Sequence, residues 1–209
     1  MSARIISSIE DVEEGARHLC ALCPRMADAY QKTGPLPLRR KPDGFSNLLG
    51  TIVSQQVSVA SANAIWNRME SAGFTRPDNI MNASDEQLSN TGLSGRKIRY
   101  ARALAEADID FVSLREAPPG EVLEKLVSVK GIGFWTAEIY LITGLGHADV
   151  FAPGDLALQE SARILYDLPR RPRERELRSM AMAWSPWRSV AARLLWAYYR
   201  VEKQRDGIG

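Results

Sequence analysis

The stretch Leu126-Val127-Ser128-Val129-Lys130-Gly131-Ile132-Gly133-Phe134-Trp135-Thr136-Ala137 decides how this chain is read. An apolar helix stops, a Gly-Ile-Gly turn follows, and a second apolar helix starts at once. The glycines admit a tight turn without a Cβ clash, and they leave backbone N–H groups exposed at the start of the second helix. Those donors, with the positive end of the helix dipole, suit a phosphate. A monovalent cation on the Val129 and Gly131 carbonyls would strengthen that grip. Such a contact carries no sequence information and would hold any DNA backbone. A plain helix-helix turn capped by glycine uses the same residues. The apolar helices on both sides and the aromatic-Thr-Ala that follows favour nucleic acid, with Gly131, Gly133 and Thr136 as candidate contacts.

Outward from this turn the chain reads almost entirely as helix. Leu48, Leu49, Ile52, Val53, Val57, Ala60, Ala64 and Ile65 recur near a 3.6-residue period, which predicts a helix through Asp43 to Ala72. Ser84 with Glu86 and Gln87 opens another, ending at the Gly92 and Gly95 turn. Helices are expected over Lys97 to Ala107, Glu121 to Val129, Gly133 to about Thr143, Asp155 to Tyr166 and Ser189 to Val201. Ile5-Ile6 and Asp108 to Val112 are the extended stretches, too short for a stable sheet. The fold class is all-α.

Composition narrows the function classes. The 209 residues are 45% hydrophobic and 25% charged, ordinary for a globular protein with a real core. No run approaches the roughly 18 apolar residues of a membrane span, so no membrane role is expected. Met1 to Glu14 lacks the apolar core of a secretory signal, which leaves the cytoplasm (nucleoid) as the expected location. Cys20 and Cys23 form a C-x-x-C pair, but with His18 and His147 the only histidines, four zinc ligands are lacking. They read as part of an apolar helix face running into Pro24. No cofactor is expected. Residues 161–209 hold ten Arg and one Lys against five acids, a charge of +6, while residues 1–160 carry −4. That asymmetry fits a face meeting a polyanion, and fits equally a solvated loop of mixed sign at Arg170 to Arg178.

Three blocks together resemble the helix-hairpin-helix DNA glycosylase superfamily, and within it the AlkA-like 3-methyladenine DNA glycosylase II family. They are Leu49-Gly50-Thr51-Ile52-Val53-Ser54-Gln55-Gln56-Val57-Ser58-Val59-Ala60, the hairpin leading on to Asp149-Val150-Phe151-Ala152-Pro153-Gly154-Asp155, and Trp184-Ser185-Pro186-Trp187-Arg188-Ser189 through Trp196. The resemblance implies a compact form without the N-terminal β domain of longer members. It implies two helical subdomains flanking a DNA-binding cleft: residues 43–145 with the hairpin, and residues 1–42 plus 146–209. The partner would be double-stranded DNA containing damaged bases, bound by a monomer.

The resemblance also makes Asp155 the catalytic carboxylate. Breaking an N-glycosidic bond builds positive charge on the sugar, and a fixed carboxylate beside it stabilises that charge. On position alone, Pro153-Gly154-Asp155 before Leu156 is equally a helix N-cap, and one residue can fill both roles. Bifunctional relatives carry a Schiff-base lysine where this chain has Trp135, which implies a monofunctional hydrolase. Lys130 then reads as a phosphate contact. A base must leave the duplex to be reached, and Gln56 is the residue implied to fill the vacated stack. N3- or N7-alkylated purines are cationic, so aromatic faces attract them; Trp135, Trp196 and Tyr140 are the candidate pocket residues. Ile139 replaces an aromatic of the family, Tyr140 lies out of register beside it, and Glu138 has no assigned role. A glycosylase for uracil or other deaminated bases, or a DNA-binding module without catalysis, are the alternative functions.

Overall fold

Pro24 divides the N-terminal apolar run into two helices, because it lacks an N–H and fits only the first turn of a new helix. The computed structural model describes residues 4–203. Helix α1 spans Ile9–Leu22, opened by a reciprocal Ser8–Asp11 capping box, and α2 spans Pro24–Thr33. There follow α3 (Phe45–Ser54), α4 (Val59–Ser71), α5 (Pro77–Asn82), α6 (Asp85–Asn90), α7 (Gly95–Glu106), α8 (Phe111–Glu116), α9 (Pro119–Val127) and α10 (Phe134–Tyr140). A π-helical turn at Leu141–Leu145 leads to α11 (Leu156–Leu165), α12 (Glu174–Ala181) and α13 (Arg188–Lys203). No strand occurs among the described residues, and the fold is all-α; Ile5 makes one isolated antiparallel bridge with His147. No described helix is long and apolar enough to cross a membrane.

The chain divides into two units. One comprises Met1–Arg40 with Leu141–Gly209, the other Lys41–Tyr140; the sequence placed these borders after residues 42 and 145. In the first unit α13 is the central rod. Val190, Leu194 and Leu195 on it are fully buried, as are Leu19 of α1, Met26 of α2 and Leu158 of α11. Gly15 lets α1 approach closely, for a Cβ there would lie 2.6 Å from Val190. In the second unit α3 contributes Leu48, Leu49 and Ile52 to the core, α7 contributes Ile98, Ala101 and Leu104, and α9 contributes Val122 and Leu126.

Two sequence expectations fail locally. The helix expected through Asp43 to Ala72 is two helices, broken at Gln55–Ser58, where Gln56 takes a left-handed backbone (φ 56) and Ser58 caps α4 through the Ser61 N–H. The apolar rhythm across the break does not track burial: Val57, Ala60 and Ala64 are exposed, and α4 buries Ala62, Ile65 and Met69 instead. The expected extended stretch at Asp108 to Val112 instead starts α8: Asp110 accepts from the N–H groups of Val112 and Ser113 as a helix N-cap.

Candidate active site and nucleic-acid interface

In the second unit the hairpin lies between α9 and α10. Val129 N–H donates to the Leu126 carbonyl at 3.1 Å, and Ile132 N–H to that of Val129 at 3.0 Å, so consecutive turn bonds reverse the chain. Gly131 has φ 95, and a Cβ on it would lie 2.2 Å from the Tyr100 ring of α7. Only glycine meets both demands. The tip faces outward: Lys130, Gly133 and Phe134 are exposed, and a Cβ at Gly133 would meet nothing. A backbone approaching the hairpin therefore reaches Lys130 and the first residues of α10 without obstruction.

Thr136 sits behind this tip, 2% exposed. Its hydroxyl accepts from Gln55 Nε2 at 3.0 Å, and the same nitrogen donates to the Gly131 carbonyl at 3.0 Å. Gly131 thus accepts from Gln55, and the Val129 carbonyl accepts from Ile132; each oxygen keeps a second lone pair with which it could hold a monovalent cation. Gln56, next to Gln55, is exposed. The carbonyl of Val53, in the last turn of α3, accepts from the buried Lys97 ammonium of α7 at 2.6 Å. Burial lowers the Lys97 pKa. Gln55, Lys97 and Tyr100 carry no sequence signal of these contacts; Gln55 stands out only as part of the Gln55-Gln56 doublet.

Trp135 is half-buried, whereas Tyr140 is fully buried in its unit. The Tyr140 hydroxyl accepts from the Gly44 N–H at 2.9 Å, where α3 begins, and its ring lies 6.3 Å from that of Phe111. That is a core environment, apart from the hairpin tip. Glu138 is also buried.

In the first unit Asp155 stands at the start of α11, only 3% exposed. Its Oδ1 accepts from the N–H groups of Ala157 at 2.9 Å and Leu158 at 3.0 Å, and from Trp196 Nε1 at 3.3 Å. The cap and the candidate catalytic group are therefore one carboxylate, pinned by three donors on one oxygen. Trp196, on α13, is 1% exposed, and the Arg39 guanidinium lies 5.3 Å from its ring centroid. Its indole supports the carboxylate and presents no open face. Ser161 of α11 donates to the Leu195 carbonyl at 2.8 Å, which ties the two helices beside that contact.

The third sequence block anchors the segment that delivers Asp155. Arg188 grips Asp149 in a two-pronged pair at 2.7 and 3.0 Å, and Ser185 donates to the same carboxylate at 2.9 Å. Burial pushes the Asp149 carboxyl up, but the bonds from Arg188 and Ser185 outweigh it and hold the pKa below the ordinary value. Ser189 N–H donates to the Ala148 carbonyl, and Trp184 meets Phe151 edge to face at 5.2 Å. Trp184 and Trp187, both 3% exposed, are structural.

Several arginines of residues 161–209 are paired or buried. Arg163 and Arg171 lie beside Glu160, Arg170 pairs with Glu176, and Arg178 with Glu174. Arg193 is wholly buried; its Nε donates to the Leu38 carbonyl and its Nη1 to Ser189. Burial first, then the charges of Arg39 and Arg40, push its pKa down to about 9. Cys20 and Cys23 are free thiols, Cys23 lying 3.6 Å from the Tyr166 hydroxyl.

Known proteins share this pattern. Residues 49–187 match the family described as HhH-GPD superfamily base excision DNA repair protein. DNA-3-methyladenine glycosylase 1 of Schizosaccharomyces pombe is 33% identical over 165 residues, covering 75% of this chain and 72% of its own. The structure of the 3-methyladenine DNA glycosylase Mag1 of that yeast, in complex with abasic DNA, superposes with a TM-score of 0.82 at 27% identity, covering 91% of this chain and 97% of its own. A DNA-3-methyladenine glycosidase from Bacillus halodurans gives 0.77 at 33% identity, over 98% and 95% of the two chains. A match across residues 49–187, spanning the Gln55–Gln56 break, the hairpin and Asp155, places this chain in the HhH-GPD superfamily of base excision DNA repair proteins.

Proposed function

We propose that this protein is a monofunctional DNA glycosylase that hydrolyses the N-glycosidic bond of alkylated purines in duplex DNA, of the 3-methyladenine and 7-methylguanine type. The observation that carries the reading is Asp155, a nearly buried carboxylate with one oxygen held by three N–H donors. A charge fixed in advance needs no reorganisation when positive charge develops on the sugar, and exclusion of water strengthens it. As the glycosidic bond breaks, its electron pair passes to the base nitrogen, and a cationic base leaves neutral. Water then bonds to C1′ and gives up a proton, leaving an abasic site in an intact strand.

The remaining residues divide the work. Lys130, Gly131, Gly133 and the start of α10 hold the phosphate backbone, with Thr136 bracing them from behind. Gln56, exposed and in a left-handed backbone, fills the stack that the extruded base leaves. Trp135 offers a partly exposed aromatic face to a cationic purine, worth about 0.5–2 kcal/mol. The relatives named for 3-methyladenine support this substrate class.

Incubating the protein with methylated and with uracil-containing duplexes, and measuring released bases and abasic sites, tests the reading. Release of 3-methyladenine by the wild type, with Asp155→Asn slower by about 10²–10³-fold, is the expected result. Release of uracil alone would transfer the activity to deaminated bases. DNA binding without release from any substrate would remove the enzymatic reading, and a borohydride-trapped adduct would contradict the monofunctional one.

A further inference from the structure

The Gln55-Gln56 doublet faces two ways. Gln56 is exposed, in a left-handed backbone (φ 56) that residues other than glycine rarely adopt. Gln55 is half-buried, and its amide nitrogen reaches across the unit to the Gly131 carbonyl and the Thr136 hydroxyl, both at 3.0 Å. One side chain thus bonds the turn of the hairpin and the first stretch of α10 while its own backbone sets where Gln56 begins. The end of α3 is secured from a second direction. Lys97 donates to the Val53 carbonyl at 2.6 Å, and one helical turn further along α7 the Tyr100 ring lies directly under Gly131. The same face of α7 therefore supports both the wedge turn and the hairpin.

Two donated bonds to groups 76 and 81 residues away fix a distance. We infer that Gln55 is a positioning residue: it locks the Gln56 turn to the hairpin, so that Gln56 enters the duplex at a set separation from the phosphates the hairpin grips. Lys97 and Tyr100 underpin the lock. The inference rests on the glycosylase reading and adds to it how extrusion of the base is driven. Without the lock, the hairpin still binds DNA, but Gln56 no longer fills the stack in register and extrusion becomes the slow step.

The test uses Gln55→Met, which keeps the side-chain length and removes the donor. Single-turnover excision of an alkylated purine is measured in a fully paired duplex and in one with an abasic site opposite the lesion, where extrusion is already cheap. Gln55→Met should be about ten-fold slower on the paired lesion. It should stay within about two-fold of wild type on the unpaired one. Affinity for undamaged duplex should be unchanged. Gln56→Ala and the Gln55→Met/Gln56→Ala double variant should excise at rates within about two-fold of each other, because Gln55 acts through Gln56. If thermal unfolding shows that Gln55→Met does not fold, Gln55→Leu, which removes the same donor with a side chain of similar bulk, carries the same comparison. Equal slowing on both duplexes, or losses that multiply in the double variant, would overturn the role of Gln55 while leaving the glycosylase reading intact. A wild-type chain that excises nothing would overturn both.

Discussion

Trp196 shows how much of the proposed catalytic carboxylate's environment depends on one side chain. Its indole N–H is the third donor to Asp155 Oδ1, at 3.3 Å. Hydrogen bonds to charged groups contribute about 1.5–3 kcal/mol, and the length of this one places it at the lower end. Trp196→Phe keeps most of the packing and deletes the donor. The expected outcome is a rate about ten-fold lower under single turnover, with affinity for undamaged duplex unchanged. Loss of DNA binding instead would make the residue a structural support only. The sequence reading named Trp196 and Asp155 separately, one as a candidate pocket residue and one as the candidate catalyst. Their contact was illegible because 41 residues separate them, and nothing in either helix's periodicity says which side chains meet.

At the scale of elements, the hairpin was the most readable part and the helix break beside it the least. Two glycines between apolar helices announce a turn, since few other residues tolerate it. The interruption at Gln55–Ser58 has no glycine or proline, and Val57 and Ala60 continue the apolar rhythm across it. Only the Lys97 and Gln55 bonds, both long-range, reveal how that end of α3 is held. Thr136 and Tyr140 were likewise legible as residues of interest, but not for what they touch. The hairpin also makes a sharp prediction. Gly131→Ala adds a Cβ 2.2 Å from the Tyr100 ring at a φ of 95. Tyr100 or the turn must shift, and the unfolding free energy should fall by about 2–4 kcal/mol. The Tm of the variant measures it, and a Tm equal to wild type would mean that the turn yields freely.

For the molecule as a whole, net charge says less than where the charges sit. The C-terminal excess of arginine fits a polyanion-facing surface, and several of these arginines also gather around acids of the same unit. Glu160 is the focus, with Arg163, Arg171 and Lys203 around it. The Arg163 bond leads in holding its carboxyl at about 2, against an ordinary 4.5. Because the folded value lies below the unfolded one, the stabilisation is complete above about pH 4.5 and drains away as the pH falls towards 2. Allowing for solvent screening, about 1–2 kcal/mol is involved. Glu160→Gln should therefore lower the Tm at pH 6, with the difference shrinking as the pH falls below about 4.5 and closing only below about pH 2. Parallel Tm curves across that range would deny Glu160 the role. The all-α class and the helix boundaries around Asp155 followed from sequence because caps and glycines are local signals; ion-pair partners are not.

One consequence of the capped carboxylate reaches beyond the reaction. In Asp155→Asn the amide oxygen can still accept from Ala157, Leu158 and Trp196, so the start of α11 stays tied down while the negative charge is gone. Most inactivating changes at a helix start would also loosen the helix; this one separates the two effects. A chain that extrudes its target but cannot release it should linger where the damage lies. Carrying an affinity tag, it would serve as a reagent for marking alkylated sites along a genome.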